Sequence, residues 1–129
     1  VNYTSDFPYV WDEITVGVTG ESDLELVLTV ARTTADRLLG EPMREPIRRY
    51  QRLLEARGLP HEMDEGPQVY LSPAESWIDV TVRYLVDARD RRRTASALLA
   101  ALLSAMESDE HHGRVETSVP RTEVRVVRE

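Results

Sequence analysis

Two amphipathic helical stripes set among alternating strands predict an α+β sandwich. The element order is strand, helix, strand, strand, helix, strand. Three observations carry this. Ile14, Val16 and Val18, and later Ile78, Val80, Val82, Tyr84 and Val86, recur with the period of two of a half-buried strand. Leu24, Val27, Leu28, Ala31, Ala35, Leu38 and Leu39 fall on one side of a helix. Ala95, Leu98, Leu99, Leu102, Ala105 and Met106 do the same later in the chain.

The elements follow in order. Val1 to Tyr9 is polar and aromatic and reads as an entry linker. Val10 to Thr19 is strand-like, with Thr15 and Gly17 on the face opposite Ile14, and Gly20 breaks the run. Ser22 is the expected N-cap of the first helix, with Glu25 completing a capping box, and Gly40 is the expected stop. Pro42 and Pro46 predict a break, because an interior proline removes a helix donor and clashes with the preceding turn. Ile47, Tyr50, Leu53 and Leu54 then predict a second, inserted helix from about Pro46 to Arg57, ending at Gly58. His61 to Gly66 is an acidic connector.

Gln68 to Leu71 reads as a short strand. The alternating run from Trp77 to Val86 pairs with it as a hairpin and turns Asp79, Thr81 and Arg83 to the other face. Asp87 and Asp90 precede the second long helix, which frays over Ser108 to His112 and stops at Gly113. Val115 to Val127 is extended and split by Pro120. After the proline, Thr122, Val124 and Val126 share one side. Helices on one face of an antiparallel or mixed sheet bury both stripes at once, and a ferredoxin-like βαββαβ sandwich with an inserted helix and a C-terminal oligomerisation strand is the simplest such arrangement.

Composition narrows the function. The chain has 129 residues, 41% of them hydrophobic, which suits one domain with its own core. Net charge is -7 and the sequence pI is near 5.0. That balance disfavours nucleic acid and anionic lipid surfaces, which need clustered cations. Without cysteine there is no disulfide framework and no thiolate chemistry. No apolar run approaches the roughly eighteen residues of a membrane span. Val1 stands inside a polar-aromatic stretch, so the sequence reads as a piece of a longer protein, and any membrane part would lie before Val1.

Candidate chemical groups are sparse. His111 and His112 beside Asp109 and Glu110 point apart in extended chain and lack a third nitrogen ligand, so the expectation is no metal. His61 with Glu62, Asp64 and Glu65 reads as an exposed acidic loop. Asp12 and Glu13 are adjacent carboxylates that a strand sends to opposite faces, a poor acid/base pair. Arg89, Arg91, Arg92 and Arg93 crowd the start of the second long helix, where the dipole disfavours cations; that favours a phosphate or acidic partner over chance, but a solvated face, or salt bridges to a neighbouring subunit, is the expected reading. Trp11 and Trp77 are candidate interdomain or sheet anchors. No Ser-His-Asp set, glycine-rich phosphate loop or HExxH motif occurs, so neither an enzyme nor a cofactor is expected.

Several stretches resemble the cytoplasmic region of the small-conductance mechanosensitive channel family. Asn2-Tyr3-Thr4 followed by Phe7-Pro8-Tyr9-Val10-Trp11-Asp12-Glu13 resembles the passage from that family's middle β domain into its α/β domain. Ile14 to Val18 and Glu21-Ser22-Asp23 resemble the segment that follows. Ser76 to Tyr84 resembles the family's central strand, and Val119-Pro120-Arg121-Thr122-Glu123-Val124 its proline-containing exit into a final barrel strand. The region from Gly40 to Gly66 is longer than the corresponding link.

The resemblance implies three parts: an entry linker from a preceding β domain (1–9), an α/β domain (10–119, with an insertion at about 41–66) and a C-terminal barrel strand (120–129). It implies a homoheptameric, hollow cage on the cytoplasmic side of the cell membrane, attached through transmembrane helices preceding this chain. Such a cage passes small ions and solutes on osmotic downshock. Thr122, Val124 and Val126 become the candidate intersubunit strand. A regulatory small-ligand-binding or dimerisation module is the alternative.

Overall fold

The computed structural model describes residues 8–63, 65–108, 114–116 and 126–128. The architecture is α+β: an antiparallel sheet and two helices. The elements are β1 (Tyr9–Val18), α1 (Leu24–Ala56), β2 (Gln68–Pro73), β3 (Ile78–Asp87), α2 (Arg91–Met106) and the short β4 (Val126–Arg128). One 3-10 turn, Ala88–Asp90, links β3 to α2.

The strand order is β2-β3-β1-β4 with every neighbouring pair antiparallel. β1 and β3 pair along their full length, from Tyr9 opposite Asp87 to Val18 opposite Ile78. Their even-numbered residues face inward. Ile14, Val16, Val18, Val80, Val82 and Tyr84 are fully buried and share one core with Val27, Ala31 and Ala35 of α1 and Leu98, Leu102 and Met106 of α2. The period-two and helical patterns therefore meet in a single core, as the sequence predicts. Each such aliphatic side chain contributes about 1.5–3 kcal/mol on burial.

Between residues 40 and 57 the expectation fails. α1 is one helix of 33 residues with Pro42 and Pro46 inside it; the inserted helix is no separate element, and Gly40 is helical. The apolar stripe explains the continuity. Leu39, Met43 and Ile47 carry the buried face straight through the prolines, and Pro46 is itself buried. Helix propensity alone sets about 3 kcal/mol against each interior proline, and tertiary burial opposes that cost. The true stop is Gly58. It takes φ +68°, Gly58 N–H bonds to Glu55 O at 3.0 Å and Leu59 N–H to Leu54 O at 2.9 Å, a Schellman termination.

The N-cap also moves by one residue. Asp23, not Ser22, accepts from Leu26 N–H, at 3.2 Å. Ser22 Oγ is occupied elsewhere, 3.1 Å from Thr19 Oγ1 and 3.0 Å from the Glu116 N–H that donates to it.

The expected linker residues 1–7, Asp64, the 109–113 region with both histidines, and Thr122 and Val124 lie outside the described residues. Val126 belongs to β4 and stands opposite Ile14.

Candidate functional site

The main polar centre lies where β1, β3 and the start of α2 converge. Asp12 shares the inward parity of Ile14 and is fully buried. A carboxylate there requires a partner, and α2 supplies it. The 3-10 turn after β3 sets Arg91 as the first helical residue, and its guanidinium forks onto Asp12: Nε to Oδ2 and Nη2 to Oδ1, both 3.3 Å. Glu13 N–H also donates to Asp12 Oδ1, at 3.1 Å. This contact answers the unfavourable position of a cation at a helix start.

Directly across the β1–β3 ladder from Asp12 is Tyr84, also fully buried. Its hydroxyl has no hydrogen-bond partner among the described residues. Burial, and secondarily the Asp12 charge, push the phenol far above its ordinary pKa, while Arg91 acts in the opposite sense. On the other edge of β1, Arg128 of β4 stands opposite Asp12 and Val127 opposite Glu13. The position of Asp12 therefore joins α2, β3 and β4. The group is a paired ion couple beside a phenol held in its protonated form, a chemistry suited to fixing the docking of elements.

The arginine run resolves into contacts within the chain. Arg89 forks onto Asp87, with Nε to Oδ1 at 3.1 Å and Nη2 to Oδ2 at 2.8 Å, and Asp87 Oδ1 also accepts from Arg89 N–H at 2.9 Å. The side-chain bonds first, then the backbone bond, pull the Asp87 carboxyl down to about 2. Arg93 pairs with Asp90.

The opposite face of β1 and β3 is polar at its centre. Glu13 meets Arg83 at 3.3 Å, so the adjacent carboxylates Asp12 and Glu13 do part to opposite faces, each onto its own arginine. Thr15 and Thr81 hydroxyls lie 3.0 Å apart. Trp11 is half-buried, edge-on to Tyr50 of α1 with centroids 6.3 Å apart, and the Arg83 guanidinium lies 5.0 Å from its ring centre. Trp77 sits in the β2–β3 turn and donates from Nε1 to Asp79 at 2.7 Å. The two tryptophans are thus held at different ends of the β1–β3 pair and are not brought together.

A third feature had no signal in the sequence. Residues 114–116 clasp the β1–α1 turn. Thr19 N–H bonds to Glu116 O at 2.8 Å, Asp23 N–H to Arg114 O at 2.7 Å, and the Arg114 guanidinium to Asp23 at 2.9 Å. Val115 between them is buried. Arg114, with Leu26 N–H adding to it, holds the Asp23 carboxyl below its usual range.

Among the described residues no cluster of three or more His, Asp or Glu has metal-binding geometry, and no helix is long and apolar enough to cross a membrane. No protein-family model and no curated protein matches the chain.

Proposed function

We propose that this chain is the cytoplasmic vestibule and assembly domain of a tension-gated, small-conductance mechanosensitive channel, with a non-enzymatic role. One observation carries the reading. The stretches with family resemblance occupy the structural centre: Trp11-Asp12-Glu13 lies in β1, and Ser76 to Tyr84 runs into β3, between β1 and β2. The strand order β2-β3-β1-β4 with crossing helices after β1 and β3 supports a ferredoxin-like sandwich.

In this reading the tail carries assembly. β4 pairs with β1 along one edge, and among the described residues no strand covers its other edge. An uncovered strand edge is a template for another copy, and rotational symmetry closes such pairing into a ring. Family resemblance makes that ring a heptamer beneath the membrane. The net charge of -7 would enrich cations near the cage wall within about one Debye length, ~8 Å at physiological salt.

The test has two arms. The gene encoding this chain, expressed in cells stripped of tension-gated channels, is expected to restore survival of osmotic downshock. Deleting Thr122 to Glu129 from the full-length protein is expected to abolish the oligomer measured by light scattering, with circular dichroism checking the fold. A gene that encodes no bilayer-crossing segment, or an oligomer that survives the deletion, overturns the proposal. A regulatory small-ligand-binding module is the second reading, favoured by a cleft between α1 and α2.

A further inference from the structure

The sheet has two margins. β4 forms one; β2 forms the other and pairs only with β3. Among the described residues no strand or turn pairs with the outer side of Val69 to Ser72. Alternate residues of such a strand turn N–H and C=O groups outward, ready for another chain.

α1 is the helix that lies over β2. Between them runs a groove of about 890 Å³, with Arg32, Thr33, Asp36 and Arg37 on one side and Pro67 to Tyr70 on the other. Successive strand side chains point to opposite faces, and Val69 is buried while Tyr70 is exposed. A groove bounded by both of them follows the edge of the strand and not one of its faces. The open ladder therefore belongs to its wall.

The helix side carries charge. Arg32 and Arg37 are exposed, and among the described residues neither forms an ion pair. Asp36 does not answer them. Its Oδ1 sits 3.1 Å from the place of a Cβ at Gly40 and 3.4 Å from that at Gly66, so the carboxylate is turned along α1 towards the connector. On an acidic molecule the groove thus holds two guanidinium groups against one carboxylate.

A sheet edge flanked by a helix suits capture of an extended peptide by strand addition: main-chain bonds supply affinity and flanking side chains select. Here the selecting groups are cations. A second copy of this chain suits the groove less well. Pro67 and Pro73 bracket the edge, a device that keeps sheet edges from pairing with themselves. Antiparallel pairing of two β2 strands would also set both α1 helices on one face of the joined sheet, with the arginines of each turned towards the same junction.

We propose that this groove captures an extended acidic segment of another protein, which adds to β2 as a new outer strand and sets carboxylates on Arg32 and Arg37. The inference does not depend on the channel reading, since it uses the margin opposite β4.

The experiment is an NMR titration of the full 129-residue chain, labelled with nitrogen-15, with capped octapeptides. Alternating glutamate and valine is expected to give saturable amide shifts centred on Val69 to Ser72, weakening as salt is raised. Alternating lysine and valine is expected to give none. Alternating glutamate and proline keeps the charge but lacks half the ladder donors, and is also expected to give none. Arg32→Gln plus Arg37→Gln is expected to weaken the glutamate–valine peptide about tenfold, in keeping with two exposed ion pairs, and to leave thermal unfolding unchanged. Should the double variant misfold, each single variant is expected to weaken it about threefold. Absent saturation, equal binding of the lysine or proline peptide, full affinity in a folded arginine variant, or β2 shifts that arise on concentrating the chain alone overturns the proposal.

Discussion

At the scale of single residues, Asp12 and Tyr84 show how differently two buried polar groups are treated. Asp12 has a forked cation and a backbone donor; Tyr84, its cross-strand neighbour, has no partner for its hydroxyl among the described residues. Opposite outcomes follow from the same operation of deleting polar atoms. Arg91→Met leaves a buried carboxylate unpaired and is expected to cost about 3 kcal/mol in urea unfolding. Tyr84→Phe removes an unsatisfied group while keeping the ring, and is expected to gain about 1 kcal/mol in the same measurement. The importance of Asp12 was only half legible in the sequence. Strand parity separated it from Glu13, but its cation lies 79 residues away in the chain, beyond any local pattern. The arginine run reads from sequence chiefly as a solvated face or intersubunit salt bridges, whereas Arg89, Arg91 and Arg93 pair with acids of this chain.

At the scale of elements, the strands and α2 were legible because one face of each is buried and the period of that burial is written in the sequence. α1 was misread at its middle. Gly40, Pro42 and Pro46 are local stop signals, and local signals yield when Leu39, Met43 and Ile47 continue a buried stripe. The cap moved for a related reason: both Ser22 and Asp23 are competent caps, and the distant segment 114–116 engages Ser22. The 3-10 turn before α2 offers a pH test. Asp87 accepts from Arg89 N–H and side chain and titrates at about 2 against an ordinary value of 3.8. A carboxylate with a depressed folded-state pKa stabilises above its ordinary pKa, and that contribution fades as pH falls towards the folded value. Asp87→Ala is therefore expected to cost about 1 kcal/mol at neutral pH. The gap from the unmodified chain should narrow as pH drops from about 4 towards 2, followed by thermal unfolding at each pH.

At the scale of the whole molecule, β3 is the axis of the sheet. Among the described residues it alone is paired with long strands on both sides, β1 along ten registers and β2 along six. Amide hydrogen exchange is expected to be slowest at Val80 to Tyr84 and fastest in the β2 edge, where Tyr70 is exposed. Uniform protection across the three strands would contradict this order. The overall element order and the β2–β3 hairpin could be read from the sequence; the long-range pairing of β1 with β3 is not written in local patterning, since it is set by the crossovers.

The clasp at residues 114–116 has a consequence for biosynthesis. Its bonds to the turn that starts α1 span 91 to 97 positions of the chain. A polypeptide emerging from the ribosome completes the first helix long before its latch exists. The turn between β1 and α1 then waits unsecured until Arg114 to Glu116 have been added, and a chain cut before Arg114 cannot fasten it.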